Sequence, residues 1–339
     1  MPVSLIFTVL NEAHSIRAVL DTIAAQTVLP DEVVVCDGGS TDATVSLLQS
    51  ETRFPLRVIS EAGANISRGR NLAIAAARHE IIACTDAGVR LNAEWLEKLV
   101  APWSHIDDGR RTTDDGSERS SVVRRPSSPD WSAGFFLPDP HGTFEIALSA
   151  TVMPELRDIR PETFLPSSRS IAFLKSAWKQ VGGYPEWLDY CEDLVFDLEL
   201  HKACGPFVFA PKAIAYFRPR GSMRSFFKQY YLYARGDGKS NLWLKRHLLR
   251  YGTYLVAFPL LLVLMIMLPG EWKLLPLAGL LAGVAAYTRT PYRRLANLGK
   301  GLPLGEMLKA VLLVPAIRVV GDVAKMIGYP VGVIWRLRQ

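Results

Sequence analysis

Several kinds of chemistry are missing from this sequence. Its four cysteines, Cys36, Cys84, Cys191 and Cys204, form no C-x-x-C pair, and none lies near paired histidines. A structural zinc site is therefore not expected, and reduced thiols in a cytosol-facing domain are. The six histidines are scattered, and no Ser–His or Cys–His pairing signals a covalent nucleophile. The first strand-to-helix turn contains no glycine, so the G-x-G-x-x-G dinucleotide fingerprint is absent, as is a Walker A lysine. A strand-like run begins at Pro2, which leaves no room for a signal peptide.

Apolar residues, by contrast, are abundant and unevenly placed. They make up 49% of the 339 residues, and the mean hydropathy of +0.13 is high for a wholly soluble protein. Up to about Asn241 the chain reads as a soluble α/β domain; beyond Tyr251 its character changes. The net charge of +6 and pI near 9.1 raise the question of nucleic acid. The basic residues answer it by position: Arg218, Arg220, Arg224, Lys228, Arg235, Lys239, Lys245, Arg246 and Arg250 precede one apolar stretch, and Arg289, Arg293 and Arg294 follow the next. Lys and Arg beside membrane spans mark the cytoplasmic side and attract anionic head groups, so membrane contact, not nucleic acid, is the expected source of the charge.

The N-terminal part alternates strand and helix signals. Pro2 to Val9 and Glu32 to Cys36 are continuous β-branched and apolar runs, as in strands buried on both faces. Helical spacing covers Asn11 to Ala25, then Asp42 to Ser50, with Asp42 a candidate cap. Leu56 to Ser60 and Glu80 to Thr85 are further strands around a helix at Arg68 to Arg78. This alternation predicts βαβ units, a mainly parallel sheet flanked by helices, and ligands at the carboxyl ends of the strands. Asp107 to Asp130, charged and Ser-rich, is expected to be a flexible surface loop; Phe144 to Met153 has a helical pattern.

Tyr251 to Leu268 carries no charge over a length just sufficient to cross a bilayer. Trp272 to Thr288 is a second, shorter apolar stretch, and the two together (residues 251–288) predict a transmembrane hairpin with both outer ends cytoplasmic. In Leu304 to Trp335 the charges Arg318, Asp322 and Lys325 interrupt the apolar residues. Charge at depth is costly in hydrocarbon, so residues 304–339 are expected to form an interfacial amphipathic helix. A buried helical hairpin in a soluble domain is the bland alternative for the first two.

Four polar clusters fall at strand ends or helix starts. Thr8-Val9-Leu10-Asn11-Glu12 ends the first strand, and Asp37-Gly38-Gly39-Ser40-Thr41-Asp42 ends the second. The paired glycines permit a tight turn and close backbone approach to a ligand, although an Asx turn capping a helix explains them equally well. Thr85-Asp86-Ala87-Gly88 ends the fourth strand. An isolated carboxylate there can hold a hard cation whose shell nucleotide phosphates complete. Glu192 and Asp193 precede a helical run, where they could do no more than favour its dipole.

Taken together and in order, these clusters resemble family-2 glycosyltransferases of the GT-A fold, over roughly Val3 to Gly238. The resemblance implies a one-step, inverting transfer from a nucleotide-sugar. It puts the Thr8–Glu12 run, including Leu10 and Asn11, and Asp37 with Gly38 at the base. Arg70 of Gly63 to Asn71, with Arg68 as alternative, falls near base and phosphates. Asp86 and Ala87 lie on the D-x-D motif, with Mg²⁺ or Mn²⁺ on Asp86, and Asp193 beside Glu192 is the catalytic base. Two departures accompany it. Gly88 stands where the second D-x-D carboxylate is expected, and the Q-x-x-R-W signature of processive synthases is only loosely echoed by Gln229 to Arg235, which argues against a cellulose- or hyaluronan-type polymerase. Gln229, Arg235 and Arg169 of the Pro166–Arg169 stretch are candidates for diphosphate or acceptor contact.

A UDP- or GDP-sugar donor, a lipid-linked or glycan acceptor, and an active site at the cytoplasmic face of the inner membrane complete the expectation, within cell-envelope glycan synthesis. A polyprenyl-phosphate sugar synthase is the nearest alternative. The incomplete D-x-D also motivates an inactive nucleotide-binding membrane scaffold. A nucleotidyltransferase would want a Gly-rich, basic triphosphate loop near the N-terminus, and TVLNEAHS is not one.

Overall fold

The computed structural model describes residues 1–104 and 129–339. The chain begins β1 (Val3–Val9), α1 (Ile16–Ala24), β2 (Glu32–Asp37), α2 (Thr44–Gln49), β3 (Leu56–Ser60), α3 (Ile66–Ala76) and β4 (Ile81–Cys84). A short β5 (Val89–Leu91) and α4 (Trp95–Ser104) follow. After the undescribed residues come β6 (Trp131–Pro138), α5 (Thr143–Val152), β7 (Ile171–Leu174), α6 (Lys175–Gln180), α7 (Glu192–Cys204) and β8 (Val208–Phe217). The rest is helical: α8 (Met223–Lys239), α9 (Leu244–Gly252), α10 (Phe258–Met267), α11 (Leu274–Leu298) and α12 (Leu304–Leu337). The loop expected at 107–130 lies outside the described residues except for its last two.

Two compact units result. The first comprises Met1–Leu137, Arg160–Trp187 and Glu192–Phe217. It holds one eight-stranded sheet in the order β3-β2-β1-β4-β7-β6-β8-β5. β1 pairs in parallel with β2 and β4, and β2 with β3, but β4–β7, β6–β7 and β5–β8 are antiparallel. The sheet is thus mixed, and the expected mainly parallel character holds only for the nucleus β3-β2-β1-β4. β7 is the strand-like run expected after Pro166–Arg169, whereas β5, only three residues long, and β8, interrupted by Pro211 and Lys212, were not anticipated.

The continuous apolar runs are explained by burial on both faces. Val3, Leu5, Phe7 and Val9 of β1 pack with Ile16, Val19 and Ile23 of α1, while Ile6 packs on the other side with Ala73 and Ile74 of α3. Each fully buried side chain of this kind contributes roughly 1.5–3 kcal/mol. Helix α3 comes unusually close to β1. A Cβ on Gly69 would stand 2.8 Å from Thr8 Cγ2, so only glycine lets α3 sit low enough to carry its next residue, Arg70, into the interior.

The second unit comprises Pro138–Ile159, Leu188–Cys191 and Arg218–Gln339. Its longest element, α12, buries a seam of Ala310, Val314, Ile317, Gly321, Ala324, Gly328 and Gly332, spaced three or four residues apart so that all lie on one face. A Cβ on Gly328 or Gly332 would overlap the carbonyl oxygen of Tyr231 or Arg235 on α8, and one on Gly238 of α8 would overlap that of Tyr329. The two backbones are in direct contact. The opposite face of α12 is an exposed apolar stripe that includes Leu308, Leu312, Val323, Ile327 and Val331.

The charges inside α12 have partners. Asp322 accepts hydrogen bonds from Arg250 Nε at 2.7 Å, from Tyr254 at 3.2 Å and from Tyr287. Arg318 lies over the Tyr287 ring at 4.0 Å and Lys325 over Tyr230 at 4.7 Å. The cost assigned to these charges from sequence assumed that they were unpaired.

Among the described residues one helical stretch, Leu244–Met267, is long and apolar enough to cross a membrane by length and composition, and its most apolar window is wholly unburied. It joins α9 and α10 through a π-helical turn at Thr253–Ala257. α11, which a short 3₁₀ turn (Gly270–Lys273) separates from α10, does not meet that measure; Arg289, Arg293 and Arg294 lie within its length.

The close approach of α8 and α12 yields a stability prediction. Gly328→Leu should destabilise the second unit by about 1–3 kcal/mol through overpacking, whereas Leu312→Ala, on the exposed stripe, should be nearly neutral. Thermal unfolding in detergent reads both, and a Gly328→Leu variant that melts with the wild type contradicts the packing.

Candidate active site

The turns after β1 and β2 are tied to each other. Asn11 has a left-handed φ of 55°, and its Oδ1 accepts from Thr41 N at 2.9 Å. Asn11 N donates to Ser40 Oγ at 2.8 Å, and Glu12 N to Thr44 Oγ1 at 2.8 Å. Asp37 is buried, and its carboxylate accepts from the amides of Gly39 at 3.1 Å and Ser40 at 3.0 Å. It therefore builds its own turn, while α2 begins at an N-cap, Ala43, with no side-chain cap. Gly39 takes φ 99°, a conformation that glycine adopts freely. A Cβ on Gly38 would come within 3.0 Å of Ala64 O. Thr8 lies beneath α3, and Leu10 is exposed at the tip.

The centre of the constellation is Arg70. Its guanidinium, 2% exposed, donates Nη2 to Asp86 Oδ1 at 2.8 Å and Nη1 to Glu192 Oε1 at 2.9 Å. Three elements distant in sequence meet there: α3, the carboxyl end of β4 and the first turn of α7. Arg68, the alternative, is about half exposed and pairs with Glu61 at 3.6 Å and Glu186 at 3.7 Å, so the structure separates the two arginines. A second guanidinium, Arg169, reaches Asp86 Oδ2 at 3.4 Å. Arg169 Nη1 also donates to Ser167 Oγ at 3.0 Å, and Ser167 Oγ donates to Asp193 Oδ2 at 3.3 Å. The Pro166–Arg169 stretch thus connects the Asp86 pair to the expected base.

The start of α7 is positioned by a residue that the sequence reading passed over. Asn71 Oδ1 accepts from Tyr184 N at 2.8 Å and Trp178 Nε1 at 3.1 Å, and its Nδ2 donates to Tyr184 O at 2.9 Å. It pins the turn at Gly182 and Gly183, both with positive φ, that leads towards Glu192. Its adjacency to Arg70 was the available signal. Tyr184 in turn meets Ser168 Oγ at 2.8 Å and stacks on Phe196 of α7 at 4.0 Å.

Electrostatics follow from burial. Burial works to raise the Asp86 carboxyl, but the charges of Arg70 and Arg169 outweigh it and hold Asp86 below the usual range. For Glu192 burial wins: with the neighbouring Asp193 charge it pushes the carboxyl up to about 7, against the pull of Arg70. One turn further along α7, Asp197 is 1% exposed, and among the described residues neither carboxyl oxygen has a hydrogen-bond partner. Burial, then the Asp193 charge, holds its pKa well above the ordinary value, which favours the protonated form.

Gln229 and Arg235 lie on α8 in the second unit. Gln229 Nε2 donates to Tyr233 Oη at 2.8 Å, and Arg235 pairs with Asp189 at 3.5 Å.

The residues around Asp86 do not fit a metal held by the protein. Asp86 Oδ1 faces Arg70 and Oδ2 faces Arg169, Glu192 is taken by Arg70, and residue 88 has no side chain to offer. Among the described residues no group of three or more His, Cys, Asp or Glu could hold a metal ion.

A four-stranded parallel nucleus within a mixed sheet, with acidic and basic side chains gathered at its carboxyl edge, is the architecture of an α/β enzyme that binds at strand ends. Residues 4–147 match the family model described as Glycosyl transferase family 2. The chain is 23% identical over 240 residues to the O-antigen chain rhamnosyltransferase RfbN of Salmonella typhimurium, covering 68% of this chain and 71% of that protein. It is 27% identical over 247 residues to the succinoglycan biosynthesis protein ExoA of Rhizobium meliloti, covering 69% and 68%. Among solved structures, the mannosyltransferase PcManGT from Pyrobaculum calidifontis, in complex with GDP-Man and Mn²⁺, superposes with a TM-score of 0.53 at 17% identity, covering 98% of this chain and 87% of that one; this likeness speaks for the fold. The family match over residues 4–147 and the two relatives together support a glycosyltransferase.

Asp197 supplies a pH test. The folded state binds its proton more tightly than the unfolded chain does, so this contribution to stability is complete below the unfolded pKa and is lost as pH rises. Asp197→Asn removes the dependence. The variant should melt with the wild type at about pH 4 and above it at about pH 8; thermal unfolding curves that stay parallel across that range would rule out a buried neutral acid.

Proposed function

We propose that the enzyme transfers a sugar from a UDP- or GDP-sugar to an acceptor hydroxyl in one displacement, inverting the anomeric centre, with Asp193 as base. The observation that carries this reading is the position of Asp193 on the first turn of α7. One of its oxygens accepts from Ser167 Oγ at 3.3 Å, and the Arg70–Glu192 ion pair lies directly before it in the chain. A carboxylate oriented this way by a hydroxyl can accept the proton of an attacking acceptor hydroxyl. Thr8, Leu10, Asn11, Glu12, Asp37 and Gly38 would form the wall for the base, with Asp86 and Ala87 beside the ribose. The expected Mg²⁺ or Mn²⁺ on Asp86 has support from the Mn²⁺ complex of PcManGT and none from the donor set around Asp86.

For the acceptor we infer a lipid-linked glycan or polyprenyl phosphate at the cytoplasmic face of the inner membrane. The unburied apolar stretch Leu244–Met267, the exposed stripe of α12 and the exposed basic residues Arg220, Arg224, Lys245 and Arg246 all favour a bilayer carrying anionic lipid. The roles of RfbN and ExoA, in O-antigen and succinoglycan synthesis, point to cell-envelope or exported polysaccharide. Gln229 and Arg235 would serve on the acceptor side.

Two measurements test the assignment. Asp193→Asn should leave nucleotide affinity within about threefold and lower turnover by roughly 10²–10⁴; turnover near wild type removes Asp193 from the role. Glu192 should govern the pH profile. Its carboxyl, pushed up to about 7, is neutral below that pH, and once ionised it adds a negative charge where the acceptor proton departs. Turnover should therefore rise through about pH 7, and Glu192→Gln should flatten that rise. A rise unchanged in Glu192→Gln would show that another group titrates.

A further inference from the structure

Asp86 is the one carboxylate of an incomplete D-x-D motif, and both its oxygens meet cations. Arg70 approaches Oδ1 at 2.8 Å and Arg169 approaches Oδ2 at 3.4 Å. A divalent ion placed on Asp86 would have to displace a nearly buried guanidinium and then sit beside two positive charges. Separating Arg70 from Asp86 would break one of the two ion pairs that hold the buried guanidinium, an unfavourable change. No neighbour makes up the shortfall: Glu192 is committed to Arg70 and position 88 is glycine.

The two guanidiniums are themselves suited to what the metal does in this chemistry. Guanidinium is planar, permanently charged and matched to phosphate oxygens. Arg70 is 2% exposed and locked between two carboxylates, whereas the Arg169 side chain is 20% exposed and lies flat over the Phe217 ring at 4.3 Å. Arg169 can therefore reach a ligand, and Arg70 can fix Asp86 and lend its field.

We propose that this enzyme binds and activates the donor diphosphate without a divalent metal, Arg169 neutralising the leaving group and the Arg70–Asp86 pair holding Arg169 in place. The inference rests on the nucleotide-sugar reading above. In the reaction, the acceptor oxygen forms its bond to the anomeric carbon while the bond from that carbon to the diphosphate oxygen breaks. The bonding pair leaves on the nucleoside diphosphate, and the acceptor proton goes to Asp193. The charge that appears on the departing diphosphate is the charge Arg169 meets.

Calorimetric titration of the full chain in detergent with UDP and GDP, in EDTA and then with Mn²⁺ or Mg²⁺, tests this directly. The better-bound nucleotide should show affinities within about threefold in the two conditions, and Arg169→Met should weaken it at least about tenfold, with Arg169→Lys in between. Circular dichroism checks that the variants are folded; the wild-type comparison needs no variant. Binding that drops tenfold or more in EDTA overturns the proposal, as does Arg169→Met with wild-type affinity. Failure of both nucleotides to bind under any condition would instead bring down the nucleotide-sugar reading, and this inference with it. A gain-of-function arm completes the test. A Cβ on Gly88 would meet nothing within 4 Å, so Gly88→Asp restores the second carboxylate without a clash. Mn²⁺ paramagnetic resonance in the presence of nucleotide should reveal a bound ion in Gly88→Asp and none in the wild type; a stoichiometric bound ion in the wild type refutes the proposal.

Discussion

The site depends on one buried cation. Arg70 is almost fully removed from water, and a guanidinium in that position is tolerable only when its charge is matched and its donors are used. Asp86 and Glu192 do this from opposite sides, one at the end of a central strand and one at the start of a helix more than a hundred residues later. The ion pair therefore ties the parallel nucleus to α7. It sets where Asp193 emerges, and it competes with burial for the protonation state of Glu192. Burial prevails at Glu192 and the guanidiniums prevail at Asp86, so two carboxylates on the same arginine end with opposite shifts.

Around that centre the packing serves placement. Gly69 lets α3 descend onto Thr8, and Asn71 holds the 182–184 turn. Ser167 and Arg169 carry the polar chain from Asp86 to Asp193. In the second unit the same economy appears in another form. Glycines on α8 and α12 bring two backbones together, while Asp322, Arg250 and the Tyr254–Tyr287 pair satisfy one another within the helical packing. Both units place charged groups away from water, and Arg70 in the first and Asp322 in the second draw their partners from more than one element.

Much of this was legible in the sequence, for identifiable reasons. Doubly buried strands leave continuous apolar runs, so β1, β2 and β4 could be located to within a residue or two. Polar clusters at strand ends are read directly, and their order carried the family. β5 and β8 were not legible, because β5 has only three residues and β8 is interrupted by Pro211 and Lys212. Nor was the neutralisation of Arg318, Asp322 and Lys325 visible from spacing on α12 alone.

The sequence by itself determined the alternation of strand and helix in the first unit, the set of acidic and basic residues available to the site, and the absence of a second D-x-D carboxylate. These are local properties: periodicity, turn chemistry and residue identity. Tertiary structure decided which of those residues meet. It buried Arg70 and left Arg68 half exposed, committed both oxygens of Asp86 to guanidiniums, left the Asp197 carboxyl without a hydrogen-bond partner among the described residues and joined Asp193 to Arg169 through Ser167. Charge pairing and desolvation depend on distance in space, and the distances between α3, β4 and α7 exist only once the chain has folded.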